Sequence, residues 1–568
     1  MTTNWFQTAR PDGFTGRLGI NPVWKTAALL GLPVIYLSVL YLLPLSQVLW
    51  RSFADPHLGA DNYIRLLTSP VYWQSFAVTF RISAIVAIIC LVLGYPLAFS
   101  LTRLNAGWRI AAFACILVPY WTSALVRTYA WTVLLQRRGI VNALLLQLGV
   151  IDSPLQISYT TVGTVIGNVH ILLPTMILTL YAGLERVDTS LVTAARTFGA
   201  SPRRAFLLVF LPLSVPAIVA GTTLTFVASL SSYIIPALLG GRRDLFVAQL
   251  IDQQVNKVLD VGFASAISIA LLLACILISI AYTRIIYQQG SGSRVHRQTS
   301  ASASFSVVDR LSLSFSVAVL VFLVLPTFVL IPLSFSSARY LTFPPPGYSL
   351  QWYQSYLQNP AWIEATWRSL RIGVVSAACA AILGTLAALG MSRIGGTKRY
   401  VLFTLLLSPL LMPNIIYALA IYQLYSALGL IGTETGLVLA HSVLGIPYVL
   451  ITVSAALSHR DAQLELAGRT MGAGPTAAFA LIRFPLIRRS VFVGALLAFI
   501  ASFDEVIIAI FVSGSRATTL PKMMWDGVTN EVNPTISAVS VVMIIVSLSL
   551  FVISAVASAQ RKSRSERR

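Results

Sequence analysis

One segment of this chain occurs twice, and this duplication limits the fold more than any other feature. Residues 188–241 and 461–514 align without a gap, so that Asp188 corresponds to Asp461 and Gly241 to Gly514. Each copy reads as a short amphipathic helix, a glycine, a second helix opened by proline, a basic turn and a long apolar stretch. A duplication on this scale predicts two homologous halves related by a pseudo-twofold axis.

The short helix that opens each copy carries a face of small and apolar residues. Its members are spaced at i, i+3, i+4 and i+7, which is one face of an α-helix. They are Leu191, Ala194, Ala195 and Phe198 in the first copy, and Leu464, Ala467, Gly468 and Met471 in the second. Asp188 and Asp461 are suited to cap the helix start, and Gly199 and Gly472 are predicted to adopt the left-handed conformation that ends it.

Apolar stretches account for most of the remaining sequence. The chain has 568 residues, of which 57% are hydrophobic and 10% are charged. A membrane-spanning helix needs about 20 predominantly apolar residues. Twelve such stretches, six in each half, are centred near residues 38, 90, 122, 171, 226, 275, 322, 381, 412, 447, 499 and 546. The sequence therefore predicts an all-α polytopic membrane protein with about twelve transmembrane helices.

The two halves are predicted to be joined by a polar linker. Residues 1–25 form an N-terminal segment, residues 26–287 the first half and residues 307–558 the second half. Between them, residues 288–306 are rich in Ser, Gly, Gln and Arg, and a coil of about 20 such residues spans tens of ångströms. Residues 559–568 form a basic tail.

Positive charge sets the predicted orientation and accounts for the net charge of +21. With a cytoplasmic N-terminus, the inside segments hold 26 Lys and Arg with 7 Asp and Glu, against 14 and 10 outside. Because basic residues favour the inside, both termini are predicted to be cytoplasmic. The charge also attracts anionic lipid headgroups. It is dispersed over seven short segments, so no nucleic-acid partner is predicted.

An acidic pair lies inside one predicted span. A charged side chain at the bilayer centre costs about 2.5 to 3.5 kcal/mol, so Asp504 and Glu505 are expected to face a cavity or a partner group. The equivalent residues of the first half are Ser231 and Ser232, followed by Tyr233. These five residues are candidates for a substrate pathway that attracts a cation. The alternative is a buried structural ion pair or hydrogen-bonded group.

Aromatic residues are concentrated in the third predicted span. Tyr120 and Trp121 lie near its middle and are pathway candidates, because aromatic faces hold ammonium groups by cation–π attraction. Tyr129 and Trp131 are interpreted as members of an interfacial aromatic belt. His170, in the next span, is interpreted as a satisfied polar residue of a helix bundle.

Motifs for catalysis are missing from the sequence. The glycines and lysine between Gly390 and Lys398 do not have the Walker A order. There is also no His-Glu-x-x-His sequence, cysteine cluster or nucleophile elbow. The chain is therefore predicted not to be an enzyme, and no cofactor or metal is assigned to it.

The duplicated segment resembles the EAA loop of bacterial ABC importer permeases. A Gly-Ala pair follows an Ala-rich helix at Gly199 and Gly472, and a proline stands at the thirteenth position after each glycine. In that family the loop is a coupling helix seated in a groove of the ATPase. The resemblance implies this role for Ala194, Ala195, Phe198, Gly199, Glu465, Ala467, Gly468, Met471 and Gly472. The acidic position of the family pattern holds Thr193 and Leu466, and Glu465 lies one residue earlier.

Further motifs are similar to those of spermidine/putrescine permeases, with both permease subunits in one chain. They are residues 118–121, 149–152 and 171–174 in the first half, and 384–389, 446–448, 503–505 and 519–521 in the second. The resemblance implies a type I importer fold in the bacterial inner membrane and a substrate such as a polyamine or an opine. It also implies a periplasmic binding protein and two ATPase subunits, which bind the ATP and Mg.

Two other functions stay open at this stage. Fused two-half permeases also occur among ferric-iron importers. A different class, a twelve-span carrier driven by an ion gradient, requires no ATPase. Such a carrier is expected to have an intramembrane network of ionisable residues, and Asp504, Glu505 and His170 are few for that purpose.

Overall fold

The computed structural model describes residues 22–289, 306–339, 343–458, 467–468, 470–530 and 534–549. Its helices up to residue 289 are numbered in chain order. They are α1 Pro22–Leu37, α2 Leu43–Ala54, α3 Asp61–Thr68, α4 Pro70–Leu101, α5 Ala106–Trp121, α6 Ala124–Leu135, α7 Ile140–Gln147, α8 Thr161–Leu184, α9 Thr189–Thr197, α10 Pro202–Ala205, α11 Leu211–Leu230, α12 Ile234–Leu239, α13 Val247–Gln253 and α14 Val261–Gln289.

The remaining helices follow the polar linker. They are α15 Ser306–Ser334, α16 Gln351–Gln358, α17 Pro360–Met391, α18 Gly396–Leu411, α19 Asn414–Leu428, α20 Glu434–Ser458, α21 Pro475–Ala478, α22 Phe484–Phe503, α23 Ile507–Val512, α24 Leu520–Asn530 and α25 Thr535–Ser549. Four π-helical turns interrupt the long helices, at Ser38–Leu42, Phe206–Phe210, Gln254–Val258 and Phe479–Arg483. The β-structure of the described residues consists of one isolated bridge, between Ser336 and Tyr348.

The internal duplication extends to the helix boundaries. In the register that pairs Asp188 with Asp461, the helices α10, α11 and α12 begin and end at the positions equivalent to those of α21, α22 and α23. The π-helical turns Phe206–Phe210 and Phe479–Arg483 are equivalent in the same register, and so are the first residues of α13 and α24. The predicted pairing of two homologous halves is therefore confirmed in the backbone.

Within the described part of the chain, nine helices are long and apolar enough to cross a membrane unbroken. Two further spans, α5 with the helix after it and α18 with α19, are bent by 96°. The shorter apolar helix α25 lies where the twelfth span is predicted. The all-α polytopic fold is thus confirmed.

The spans predicted near residues 122 and 412 are bent, since each consists of two helices that meet at this position. Pro119 and Pro409 lie in the last turns of α5 and α18, where a proline ring disfavours continuation of the helix. The residue after each helix is extended in both halves, with ψ 146° at Thr122 and ψ 139° at Met412. The third and ninth spans are therefore broken at equivalent places.

Compact packing divides the chain differently from the two predicted sequence halves. One unit comprises residues 1–48, 361–523 and 549–568, and the other comprises residues 49–360 and 524–548. We call them the split unit and the central unit. The N-terminal helix thus belongs with most of the second half, and α15 belongs with the first half. The sequence halves remain a prediction about the repeat and do not coincide with these units.

In the central unit, helices α4, α8 and α11 form the middle of the core. The ring of Phe99 meets Phe206 and Phe210 edge to face, with centroids 5.4 and 5.2 Å apart. The guanidinium of Arg103 lies over the face of the Phe99 ring, 4.3 Å from its centre. The core thus reaches the π-helical turn that follows the first duplicated loop.

In the split unit, glycines allow close approach of α20 and α22. A Cβ on Gly494 would lie 2.8 Å from the Cα of Val449 and would also meet the hydroxyl of Thr452. At the equivalent Gly221 of the central unit, a Cβ would lie 2.7 Å from the sulfur of Met176. Small residues at such contacts are typical of packed membrane helices.

We expect Gly494→Leu to lower the apparent melting temperature of the purified chain in detergent, because overpacking a tight contact costs about 1 to 3 kcal/mol. The measurement is thermal unfolding followed by size-exclusion chromatography. Gly31→Leu is the matched control, since a Cβ at Gly31 meets nothing within 4 Å. Equal losses in both variants would contradict a close helix contact at Gly494.

Candidate coupling sites and translocation pathway

The first candidate coupling helix, α9, is anchored by one side chain. The carboxylate of Asp188 accepts a hydrogen bond from the Ser190 amide at 2.9 Å, so the predicted N-cap is confirmed. Val192 is fully buried and joins the core of the central unit. Leu191 and Ala194 are exposed, whereas Ala195 is half-buried. The helix therefore turns most of its predicted small and apolar face outward.

Both coupling segments end in the same hydrogen-bonded cap. The Ala200 amide donates to the Ala195 carbonyl, and the Ala473 amide donates to the Gly468 carbonyl, both at 3.0 Å. This six-to-one bond is a Schellman cap and requires a left-handed residue. Gly199 and Gly472 supply it with φ of +88° and +89°, so both predicted C-caps are confirmed.

A large apolar side chain precedes each of these glycines and projects away from the protein. Phe198 is 90% exposed and Met471 is 87% exposed. Ala467 is exposed and Gly468 is half-buried in the second copy. Asp461, Leu464 and Glu465 lie outside the described residues. The two loops therefore present exposed apolar side chains, Phe198 and Met471, at equivalent positions. This feature is expected of a surface that inserts into a partner.

A short helix and a π-helical turn connect the loop that carries Phe198 to the membrane-spanning helix α11. The Ser201 hydroxyl accepts from the Arg204 amide at 3.4 Å and caps α10. The turn Phe206–Phe210 follows directly and leads into α11 without a break. Both aromatic rings of this turn pack on Phe99, so the turn that follows the loop is in direct contact with the core of the unit.

The predicted aromatic pathway residues lie at the break of the third span. Tyr120 and Trp121 are the last residues of α5, and their ring centroids are 5.8 Å apart. Tyr120 is 39% exposed. A bent span lined by an exposed phenol is compatible with a pathway, and the role of both residues stays a prediction.

The interpretation of Tyr129 and Trp131 as an interfacial belt is wrong. Both are buried, since the bend before α6 turns this helix into the protein. The Tyr129 hydroxyl lies 3.4 Å from that of Ser537. Trp131 packs against His170, whose Nε2 is 3.0 Å from the Leu323 carbonyl oxygen. His170 is thus a hydrogen-bonded bundle residue, as predicted.

Glu505 is a buried hydrogen-bonded group, which the sequence analysis gave as the alternative to a role in the substrate pathway. One carboxyl oxygen accepts from the amides of Ile507 and Ile508, at 2.9 and 3.0 Å, and so caps α23. The other accepts from the Asn414 side chain at 3.0 Å. Because Asn414 begins α19, Glu505 joins the break of the eleventh span to the break of the ninth. Its side chain is buried, with only 8% exposure.

Asp504 is the more accessible member of the acidic pair. It follows the last residue of α22 and is half-buried. We expect Asp504→Asn to raise the KM for uptake of a diamine about thirtyfold. The reason is that a unit charge about 8 Å from a cation is worth roughly 2 kcal/mol at an effective dielectric of about 20. Uptake kinetics with radiolabelled putrescine provide the measurement, and an unchanged KM would remove Asp504 from the pathway.

The equivalent residues of the first half form a different environment. The Ser231 hydroxyl donates to the Ala228 carbonyl at 2.9 Å, and Ser232 is half-buried. Tyr233 is buried, with its ring centroid 5.4 Å from that of Trp525.

Sequence reasoning missed two ionisable residues. His441 is buried in α20, and its Nδ1 lies 2.8 Å from the Ser502 hydroxyl. Asp252 lies on α13, outside the spans. Burial raises the pKa of its carboxyl, against the effect of the hydrogen bond that it accepts from the Asn256 side chain. For His441, the available signal in the sequence was the helical periodicity of the segment that forms α20. For Asp252, it was the position of the residue between two spans, one ending at Leu230 and the next beginning at Val261.

The duplicated loops and the broken spans define the class of this protein as a polytopic membrane protein with two matched halves. The sequence profile of the family "Binding-protein-dependent transport system inner membrane component" matches residues 66–288 and again residues 380–564. The chain belongs to this family of ABC importer permeases and carries its domain twice. It is accordingly a multi-pass membrane protein and an importer permease subunit.

Two proteins similar to this chain are named as polyamine permeases. The spermidine/putrescine transport system permease protein PotB of Escherichia coli (strain K12) is 36% identical over 233 residues, covering 41% of this chain and 84% of the relative. The putrescine transport system permease protein PotI of the same organism is 37% identical over 226 residues, covering 39% and 80%.

A third relative is named without a substrate. The inner membrane ABC transporter permease protein YdcU of Escherichia coli (strain K12) is 32% identical over 295 residues, covering 47% of this chain and 93% of the relative. Among solved structures, a bacterial ABC transporter involved in the import of the acidic polysaccharide alginate aligns with 17% identity and a TM-score of 0.40. That alignment covers 47% of this chain and 96% of the solved chain.

Proposed function

We infer that this chain forms the whole translocation pathway of a type I importer for a small organic cation or zwitterion, such as a polyamine or an opine. Two separate ATPase subunits supply the energy, and a periplasmic binding protein delivers the substrate. Both permease subunits are fused in the one chain, and its termini are cytoplasmic. ATP and Mg are bound by the ATPases.

The observation that carries this proposal is the matched pair of exposed loops. Each consists of a capped helix end, a left-handed glycine and a projecting Phe198 or Met471. One chain therefore offers two equivalent docking positions, as two ATPases require. In this mechanism, closure of the ATPases moves α9 and its counterpart, and the attached π-helical turns pass the movement to α11 and α22.

The substrate class rests on the relatives and on charge. Two polyamine permeases are 36% and 37% identical to this chain over most of their own length. Acidic residues also lie near the predicted outer ends of spans, at Asp252 and Asp504. An acidic lining favours cations over anions by simple Coulomb attraction. Ferric iron remains an alternative substrate of a fused permease.

The test is uptake into proteoliposomes that contain the full-length chain with its ATPase, supplied with the binding protein and radiolabelled putrescine. We expect uptake that requires ATP and all three components. Competition by unlabelled spermidine, an opine or ferric citrate then ranks the substrate classes. Uptake driven by a proton or sodium gradient without the ATPase would overturn the proposal and identify a secondary carrier.

A further inference from the structure

A half-open apolar cavity of about 400 Å³ lies in the central unit, where helices α3, α4 and α14 meet. The proposed coupling mechanism does not use it. Every residue that lines the cavity is aliphatic or aromatic. The lining includes Leu66 and Leu67 of α3, Trp73 and Ala77 of α4, and Ala270 and Ala274 of α14.

The cavity lies at the depth of the membrane. Helices α4 and α14 are both long and apolar enough to cross a bilayer, and both begin at the predicted outer side. Ala270 lies about 14 Å along α14 from its first residue, since each helical residue rises about 1.5 Å. This depth is close to half of a hydrocarbon core of about 30 Å. Lipid chains of the outer leaflet therefore reach the cavity, whereas a soluble partner does not.

A guanidinium group closes the outer end of the cavity. Arg65 of α3 donates from Nη1 to the Asp260 carboxylate at 2.7 Å and from Nη2 to the Tyr72 hydroxyl at 3.0 Å. The same group lies over the ring of Phe263, 4.0 Å from its centre. Because Phe263 precedes Ala270 by two helical turns on one face of α14, the cation stands above the apolar lining.

The Arg65 side chain has donors left for a ligand. It is 43% exposed, and two of its five N–H groups are used in the hydrogen bonds to Asp260 and Tyr72. A phosphate group accepts charge-assisted hydrogen bonds from such a guanidinium. Because Asp260 balances the charge of Arg65, the pair is complementary to a headgroup that carries both a phosphate and an ammonium group.

The internal repeat shows that the cavity is not a requirement of the fold. Helices α4 and α17 have the same length of 32 residues. Their alignment end to end pairs Thr79 with Ser369, and each hydroxyl accepts from the amide of the first residue of α13 or α24, at 3.0 and 2.7 Å. In this register Ala77 corresponds to Trp367. The first half thus has a methyl group where the second half has an indole.

We propose that the cavity is a binding site for one phosphatidylethanolamine molecule, with an acyl chain between α3, α4 and α14 and the phosphate on Arg65. The ammonium group of the lipid faces Asp260. The bound chain fastens the short helix α3 to the two spans. This inference goes beyond the proposed function and does not depend on the identity of the transported substrate.

Filling the cavity should remove the lipid. We expect Ala77→Trp to weaken phosphatidylethanolamine binding at least tenfold, because the indole takes the place of the chain. Ala77 is exposed, so the added ring does not enter the protein core. Ala281→Trp is the matched control, since Ala281 is an exposed alanine of α14 beyond the cavity, and it should bind lipid like the wild type.

Removing the cation should affect the headgroup alone. We expect Arg65→Gln to weaken phosphatidylethanolamine binding about fivefold, because the phosphate loses its charged donor. Diacylglycerol has the same chains without the phosphate, so it should bind equally to wild type and to Arg65→Gln. A purely structural role of Arg65 would weaken the binding of both lipids to the same extent.

The experiment is native mass spectrometry of the delipidated full-length chain in detergent, titrated with phosphatidylethanolamine or diacylglycerol. For the wild type we expect one phosphatidylethanolamine to bind at least tenfold more tightly than those that follow. The same lipid should raise the melting temperature of wild type and Ala281→Trp, and should not raise that of Ala77→Trp. Size-exclusion chromatography verifies that each variant is folded.

The proposal is overturned if the first lipid binds no more tightly than the others, if Ala77→Trp binds it like the wild type, or if Ala281→Trp loses it equally. It is also overturned if Arg65→Gln weakens both lipids alike. Failure of the proposed function has a different signature, because it appears as absence of ATP-dependent uptake in proteoliposomes, and the lipid titration contains neither ATPase nor substrate.

Discussion

Replacement of Gly199 and Gly472 by valine should abolish substrate-stimulated ATP hydrolysis while membrane insertion stays intact. Both glycines have a left-handed φ, +88° and +89°, a conformation that costs an ordinary L-residue about 1 to 2 kcal/mol and is most unfavourable for a β-branched one. Space is not the limitation, because a Cβ at either position meets nothing within 4 Å. The substitution therefore acts on the cap alone and turns Phe198 or Met471 away from its docking direction.

We expect each single substitution to lower substrate-stimulated ATPase activity at least tenfold, and the double substitution to reduce it to the basal rate. The measurement is phosphate release from the complex in proteoliposomes, with and without the loaded binding protein. Gly199→Asn should retain most activity, because asparagine tolerates the left-handed region. Gly149→Val provides a matched control, since Gly149 has φ +68° in a predicted outer loop with nothing near its Cβ. Normal stimulation in both single variants would exclude a coupling role for these loops.

Removal of the Glu505 carboxyl group should have the second largest effect. Glu505→Ala leaves three donors without their acceptor, namely the buried amide of Ile508, the partly buried amide of Ile507 and the partly buried side chain of Asn414. An unsatisfied buried donor costs about 1 to 3 kcal/mol, and water can reach the two partly buried donors, so the expected loss in the free energy of unfolding is about 1 to 3 kcal/mol. The breaks of the ninth and eleventh spans also lose their connection.

The readout is thermal stability in detergent together with uptake. Glu505→Gln should be close to wild type in stability, because its amide oxygen still caps α23 and Asn414 can reorient its side chain to accept. Ser232→Ala is the control at the equivalent position of the first half, where the hydroxyl has no hydrogen-bond partner among the described residues. If Glu505→Ala were as stable as Ser232→Ala, the bridging role of this carboxyl group would be wrong.

Local features of the fold were predictable from the sequence. Asp188, Gly199 and Gly472 cap their helices as their residue types indicate, because capping depends on a few neighbouring backbone groups. The locations of the spans follow from apolar length alone. The register of the duplication is visible in both the sequence and the helix boundaries.

Features that depend on distant contacts were not predictable. Apolar runs continue through residues 122 and 412, so hydropathy shows no bend there, although Pro119 and Pro409 were available signals. The contact of Glu505 with Asn414 joins residues 91 positions apart, and periodicity carries no information about it.

The membership of the N-terminal helix in the split unit has a consequence for biosynthesis. The Tyr36 hydroxyl hydrogen-bonds to the Leu439 carbonyl and lies 2.8 Å from the hydroxyl of Ser442, a residue 406 positions later. At ribosomal rates of about 5 to 20 residues per second, the first helix waits roughly 20 to 80 seconds in the bilayer before these partners are translated. Because the two halves are fused, the segment with Leu439 and Ser442 is already covalently attached to the first helix when it is synthesised. The attachment shortens the diffusional search of this segment for the first helix.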